Sequence, residues 1–346
     1  MDRIFLGMLA FIPLTLAALY SGFSGTVVFF LAALSIVPLA KYIGDSTEEL
    51  ASRTNPAIGG ILNATFGNAT ELIIGFFALQ AGLVEVVKAS ITGSIIGNLL
   101  LVLGLAMFMG GLKREHQKFN RAGALASAST LLLSTIALIL PAIFAIAVPG
   151  KAELIEPLSL IVSFVLLIMY AAQLYFILHT HRHLYTETEI HEPKWSVAYS
   201  ITVLSISTMF VALMSEVLVG AIEPVVGSLG WSTLFIGVIF IAIIGNAAEH
   251  YSAVTVAMKN RMDLALHISV GSATQIALFV APALVLASIV LGKPMNLIFE
   301  IFELVSIVFS VLVVNFVVAD GESNWLEGAQ LLAAYVVIGV AFFFHP

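Results

Sequence analysis

Two ten-residue stretches of this 346-residue chain hold residues that could do chemistry where none is expected. "FGNATELIIG" (66–75) and "IGNAAEHYSA" (244–253) each set a carboxylate, Glu71 and Glu249, three residues after an asparagine and four after a glycine, inside an apolar run. Adding 178 carries Gly67, Asn68, Ala69 and Glu71 onto Gly245, Asn246, Ala247 and Glu249, and the same ungapped register carries Gly59 onto Gly237, Gly93 onto Gly271 and Ser94 onto Ser272. One shared tripeptide is within chance, whereas a constant register over two helices marks an internal repeat.

Residues three or four apart share a helix face, so Asn68 joins Glu71 and Asn246 joins Glu249. Gly67 and Gly245 let a neighbouring helix approach, or let their own helix open so that backbone carbonyls face the site. Downstream of each motif lies a polar stripe: Ser90, Ser94 and Asn98 in one copy, Ser269, Ser272 and Gln275 in the other. At 1.5 Å per residue, Glu71 lies about 21 Å into its span, near mid-bilayer, and Glu249 is at similar depth from the opposite side. A charged carboxylate there costs about 3 kcal/mol, and no Lys or Arg falls mid-span to offset it. The missing partner is then a bound cation, or protons in its absence. Carboxylates, amides, hydroxyls and carbonyls form an all-oxygen donor set suited to a hard divalent ion such as Ca²⁺, which takes about 6 to 8 oxygens. With no cysteine in the chain and no histidine cluster in either motif, a soft-metal site is disfavoured. Taken singly, such glycines and serines more often pack, and an asparagine or glutamine serves as readily to bond between helices as to bind an ion; the paired glutamates resist that reading.

The elements that must position these groups follow from composition. Hydrophobic residues make up 60% of the chain and charged ones 10%, at a mean hydropathy of +1.08, which excludes an ordinary soluble domain. Apolar stretches of roughly 20 residues favour helices over a barrel, so the expectation is an all-α polytopic membrane protein in contact with the lipid bilayer. No basic stripe points to nucleic acid. Breaks at Gly, Pro and charge divide the chain into eleven candidate spans, roughly 4–20, 26–43, 57–80, 85–109, 122–147, 154–179, 196–222, 231–258, 263–290, 295–318 and 325–344, with a polar helical extension after the second. The first is read as a retained helix rather than a signal peptide, since it lacks a convincing small-x-small cleavage site. An amino terminus sharing one side with the even-numbered loops puts Arg3, Lys41, Arg53, Lys113, Arg114, Lys118, Arg121, Arg182, Lys194, Lys259 and Arg261 there, eleven of the 14 basic residues. The positive-inside rule makes that side cytoplasmic and the carboxyl terminus external or luminal. Five crossings separate the two motifs, so the copies are inverted: residues 1–24 form an extra helix, 25–180 the first five-helix repeat, 181–194 a linker and 195–346 the second repeat. Inverted repeats place substrate near the midplane between the halves of secondary transporters.

Other polar residues are secondary candidates. Asp45 and Glu223 are mates at the same offset near opposite ends of spans two and seven, as interfacial or ion-access groups. Glu216 lies deeper in span seven, buried by these boundaries, and is read as functional. His250, beside Glu249, is a proton relay or a packed imidazole. The linker "HTHRHLYTETEIHEPK" (179–194) reads as a solvated connection with a sensing role as the alternative.

"GNATELIIG" with "TGSIIGNLLLV", and "GNAAEHYSA" with "VGSATQIALFV", resemble the two signature repeats of the Ca²⁺/H⁺ antiporters in the Ca²⁺/cation antiporter superfamily, and the resemblance covers essentially the whole chain. It implies an exchanger in which Glu71 and Glu249 bind Ca²⁺ or protons competitively, with no cofactor beyond the transported ions. The short termini resemble prokaryotic members, implying an inner plasma membrane. Na⁺/Ca²⁺ exchangers typically place a proline before the acid, where this chain has Thr70 and Ala248; this favours protons and leaves Na⁺ as the alternative. A homo-oligomer stays open. A Ca²⁺ channel would not use a counter-gradient, and an intramembrane metallohydrolase lacks its H-E-x-x-H motif.

Overall fold

The computed structural model describes residues 3–54, 56–181 and 193–345; the middle of the linker lies outside them. The chain folds as helices α1 (Arg3–Tyr20), α2 (Gly25–Ala51), α3 (Pro56–Phe66), α4 (Ala69–Gln80), α5 (Val84–Gly111), α6 (Arg121–Ala147) and α7 (Ala152–Thr180). After the linker come α8 (Val197–Leu229), α9 (Thr233–Gly245), α10 (Ala247–Met258), α11 (Met262–Val290), α12 (Ile301–Val317) and α13 (Trp325–Phe344). Eight of these are long and apolar enough to cross a membrane, and the bent pair α9–α10 makes nine; α4 and α12 are apolar but shorter. The all-α expectation holds, apart from β1 (Gln117–Lys118) paired antiparallel with β2 (Glu322–Ser323). α2 runs on through Ala51, as the sequence suggests.

Two expected spans are broken. The expected helix 57–80 is interrupted at Gly67 and Asn68, and 231–258 bends by 59° between α9 and α10. Asn68 (φ −111°, ψ 24°) and Asn246 (φ −96°, ψ 17°) leave helical geometry at mated positions. The expected span 295–318 starts late, at Ile301, because Met295, Leu297 and Phe299 are buried alternately along non-helical chain. Ser288 Oγ accepts from the amide of Met295 and Ser159 Oγ from that of Leu297, so side chains replace the helical ladder there. Glu300 and Glu303 then form the capping box that starts α12.

The 178-residue register governs backbone as well as sequence. α4 maps onto α10 end for end, and the π-type turns Gly97–Val102 of α5 map onto Ile276–Val280 of α11 within a residue. Gly82, with φ +81°, maps onto Asn260, a described non-glycine residue with positive φ (63°). π-type turns in long helices recur at functional sites.

The connections gather at two ends of the bundle. At one, Arg53 reaches the carbonyls of Pro193 and Trp195, Glu49 Oε2 accepts from the amides of Lys194 (2.8 Å) and Trp195 (2.9 Å), Gln117 Nε2 donates to Asn260 Oδ1 (3.0 Å), and β1 pairs with β2. At the other, the hydroxyls of Thr26 and Ser228 meet at 2.6 Å, Lys293 Nζ donates to the Gln80 carbonyl (2.9 Å), and Lys88 Nζ donates to Asn296 Oδ1 (3.2 Å). α3 therefore starts from the first end and α9 from the second, so the two broken helices run in opposite directions. α2 packs along α8, and α5 crosses α9.

Candidate cation site

The breaks create the site. Asn68 caps α4 and Asn246 caps α10, which puts Glu71 and Glu249 at the third position of a new helix. There the unpaired amides and the positive end of the helix dipole favour a carboxylate. The ends of α3 and α9 leave terminal carbonyls at the same breaks.

Each break asparagine is held by the other repeat. Asn98 Nδ2, on α5, donates to Asn246 Oδ1 (2.7 Å) and to Ser272 Oγ (3.0 Å), while Asn246 Nδ2 donates to Ser94 Oγ (2.9 Å) and to its own helix at Ala242 O (2.9 Å). Asn68 Nδ2 donates to Gln275 Oε1 on α11. The eight polar residues singled out for cation or proton binding are thus gathered at or beside the two breaks. The first serines of the two stripes are not: Ser90 donates to Val87 O and Ser269 to Ala265 O, each satisfied on its own helix.

Both Glu71 carboxylate oxygens, Glu249 Oε2, Asn68 Oδ1 and Asn98 Oδ1 are buried without a hydrogen-bond donor. Buried polar atoms are almost always paired, and five orphaned acceptors at one place have the chemistry of a cation site. The two carboxyl groups are close enough to act on each other electrostatically. Among the described residues no cluster of three or more His, Cys, Asp or Glu side chains could hold a metal ion. A cation here would therefore rely on two carboxylates plus neutral oxygens.

A cavity of about 650 Å³ opens from the site between α2, α3, α10 and α11. Glu249, Asn68, Ser272, Gln275, Gly67 and Gly245 line it; Glu71, Asn98, Asn246 and Ser94 lie behind it. Gly245 explains how Glu71 fits, since a Cβ there would stand 3.2 Å from Glu71 Cγ. At Gly67 the three nearest atoms to such a Cβ all belong to Asn63, its carbonyl oxygen 2.5 Å away, and none to Glu249. The two glutamates are mates in sequence but occupy different settings.

Asp45 sits half-buried in the cavity wall, paired with Lys41 at 2.6 Å; the Lys41 ammonium also lies 5.4 Å from the Tyr251 ring centroid. Glu48, on the next turn, lines the same wall and carries no signal in the sequence that singles it out. Glu216 departs from expectation: Met214, Ser215, Leu218 and Val219 turn inward, and helical phase turns Glu216 outward, exposed. Glu223 is also exposed, and neither it nor His250 lines the cavity. His267, unremarkable in the sequence, does line it. Glu303 is a further acid that sequence reasoning misses: it is 1% exposed and accepts from Thr92 Oγ1 (2.9 Å) and from the Glu300 amide (2.9 Å).

Residues 24–179 and 199–344 each match the family described as sodium/calcium exchanger protein. The chain belongs to the sodium/calcium exchanger protein family. Within this exchanger family, a Ca(2+)/H(+) antiporter of Aphanothece halophytica is 48% identical, with 100% of this chain and 97% of that protein covered. The Ca(2+)/H(+) antiporter ChaA of Bacillus subtilis is 46% identical, with 99% of each covered. The structure described as native YfkE matches with a TM-score of 0.87 at 42% identity, covering 99% of this chain and 100% of its own. The crystal structure of the H⁺/Ca²⁺ exchanger CAX matches with a TM-score of 0.75 at 14% identity, a likeness of fold. This exchanger is accordingly a multi-pass membrane transporter and not an enzyme.

Proposed function

We propose that this exchanger is a secondary antiporter that moves cytosolic Ca²⁺ out against entering protons by alternating access. The observation that carries the reading is the pair of glutamates at two oppositely directed helix breaks, with their buried oxygens lacking donors. With both carboxylates ionised the site has a formal charge of −2, which one Ca²⁺ or two protons neutralise, but not both together. Competition for the same oxygens is what makes the transport an exchange. An empty, doubly charged site resists passage through hydrocarbon, which suppresses leak. Relatives described as Ca(2+)/H(+) antiporters at 46–48% identity support this coupling ion, as does the absence of proline before either glutamate.

In this reading α3–α4 and α12 also cross the bilayer, for eleven crossings: one extra helix (1–24), repeats 25–180 and 195–346, and the 181–194 linker on the cytoplasmic side. The clustering of Arg53, Gln117, Lys194 and Asn260 at one end of the bundle supports that assignment, as these lie in even-numbered loops. The cavity opens toward that end, so Ca²⁺ reaches Glu249 from the cytosol past Glu48 and the Lys41–Asp45 pair. Asn68, Ser94, Asn98, Asn246, Ser272 and Gln275 supply neutral oxygens or fix the oxygens that do. A prokaryotic plasma membrane fits the bacterial relatives.

The test is ⁴⁵Ca²⁺ uptake into proteoliposomes under an imposed H⁺ or Na⁺ gradient. Uphill uptake driven by H⁺ alone, and lost in Glu71→Gln and in Glu249→Gln, is the expected result. Uptake driven only by Na⁺ would assign the other coupling ion, and substantial transport by either variant would refute the two-carboxylate mechanism.

A further inference from the structure

The two repeats are alike in backbone register but not in how they touch. On the side away from the cavity, α5 and α9 are pressed together at two glycines. A Cβ on Gly93 would stand 2.0 Å from the carbonyl oxygen of Val238, and one on Gly237 would stand 2.4 Å from Ala89 Cβ and 2.9 Å from the Val86 carbonyl. These are backbone approaches that leave no room for a methyl group. Val86 and Ala89 are at most 1% exposed.

The same register places Gly59 opposite Gly237 and Gly271 opposite Gly93, and these mates do not touch. A Cβ on Gly271 would meet nothing within 4 Å, and the nearest atoms to one on Gly59 all belong to Ala51. Gly60, Leu264 and His267, the mates of Val238, Val86 and Ala89, line the cavity together with Gly59. The closed contact on one side and the open cavity on the other are thus built from the same positions of the two repeats.

We propose that Gly93 with Gly237, and Gly59 with Gly271, are positioning residues for two mutually exclusive seals, one of which forms as the other parts. The inference rests on the alternating-access reading above and specifies the contacts that make access alternate. When the cavity closes, α3 and α11 approach as α9 and α5 do here, with Gly271 reaching the Gly60 carbonyl and Gly59 reaching the turn of His267. On the far side, separation of Gly93 from Val238 opens a mirror-related path, now to Glu71. Glycine is required at each position because the seal is a helix-to-helix backbone contact.

The two pairs respond oppositely to one added methyl group. Gly271→Ala fits this state unchanged and obstructs the other, whereas Gly93→Ala or Gly237→Ala obstructs this state. The native sequence has no cysteine, so single reporters can be placed on the mates Leu264→Cys, 36% exposed in the cavity wall, and Val86→Cys, 1% exposed in the seal. Each is labelled with a membrane-impermeant maleimide from either face of proteoliposomes, in native and glycine-variant backgrounds, and Ca²⁺ transport is measured under the gradient that drives the native protein.

With Gly271→Ala, transport is expected to fall at least tenfold while Leu264→Cys stays labelled from the cavity side and Val86→Cys stays protected from both. With Gly93→Ala or Gly237→Ala, Val86→Cys becomes labelled from the opposite face and labelling of Leu264→Cys slows. A merely structural role would not move the two reporters in opposite directions. The proposal is overturned if Gly271→Ala transports within twofold of the native protein, or if folded Gly93→Ala and Gly237→Ala leave Val86→Cys protected. Should neither of the latter two fold, Gly271→Ala decides alone, since its methyl group meets nothing in this structure. Labelling needs no coupling ion, so replacement of H⁺ by Na⁺ as the driver would revise the proposed function and leave the two seals untouched.

Discussion

Replacing Asn246 by alanine should destabilise the protein more than replacing its mate Asn68, although the sequence presents them as equivalents. Asn246→Ala removes three bonds to other helices, from Asn98 (2.7 Å), to Ser94 (2.9 Å) and from Ser272 (3.5 Å), besides the bond to the Ala242 carbonyl of its own helix (2.9 Å), and leaves Asn98 with Ser272. Asn68→Ala removes the bond to Gln275, and its Oδ1 has no donor to lose. Hydrogen bonds between membrane helices average about 0.6 kcal/mol, so three of them amount to about 1.8 kcal/mol against about 0.6 kcal/mol for one. At roughly 2–4 °C per kcal/mol, the difference of about 1.2 kcal/mol is a Tm gap of about 2–5 °C. Thermal unfolding in detergent without Ca²⁺, followed by the intrinsic fluorescence of the three tryptophans, reads the gap directly. Equal Tm values, or a lower one for Asn68→Ala, would refute the view that Asn246 is pinned by α5 while Asn68 faces the cavity.

Further outcomes follow from the same geometry. Because two protons compete with one Ca²⁺, lowering the cavity-side pH by one unit within the range where both glutamates bind protons should raise half-saturating Ca²⁺ by up to about 100-fold, measured as initial ⁴⁵Ca²⁺ uptake against pH; an effect independent of pH would contradict competition. Gly245→Ala should push Glu71 from its place, 3.2 Å from the added carbon, and weaken Ca²⁺ binding several-fold by calorimetry, with little change in Tm. Asp45→Asn leaves Lys41 as an unpaired positive charge at the cavity wall, so uptake should slow at low ionic strength and recover as salt screens it. Glu303→Gln should keep H⁺-driven transport, because its amide oxygen can still accept from the Glu300 amide while its NH2 donates to Thr92 Oγ1; Glu303→Ala should cost about 1 kcal/mol as a lost helix cap, read as a lower Tm.

Much of the fold is legible because bilayer physics writes it into composition: a run of about 20 apolar residues must become a helix whatever its neighbours are. The site is legible for the opposite reason, since Glu71 and Glu249 violate that rule in register. Where the sequence misleads, tertiary contact decides. Met295, Leu297 and Phe299 have the hydrophobicity of a span but are held extended by side-chain acceptors from Ser288 and Ser159, which no local pattern announces. Depth alone suggests a functional role for Glu216, whereas helical phase within α8 governs where it points. Glu303 escapes the criterion that finds Glu71, because hydropathy starts its span about six residues early and so hides the capping box.

What the repeat hides is its own asymmetry. A 178-residue register makes Glu71 and Glu249 the same residue twice, and likewise Gly93 and Gly271. A transporter that alternates must have its two halves in different conformations whenever it is open to one side, since a structure obeying the symmetry would be open to both sides or to neither. Sequence can therefore supply the pair of states but not which one the chain occupies. The small departures from the repeat bear on that choice: Asn98 has Ile276 for its mate, Gln275 has Gly97, and His267 has Ala89. Asn98 gives the break at Asn246 a donor that the break at Asn68 lacks in the same register, whereas Gln275, one position away, accepts from Asn68. Exchanging these positions, with Asn98→Ile and Ile276→Asn together, should move the preference toward the opposite state, raising labelling of Val86→Cys and lowering that of Leu264→Cys. If the double variant labels as the native protein does, the bias between states arises elsewhere, and His267, which replaces an alanine in the unformed seal, is the next position to exchange.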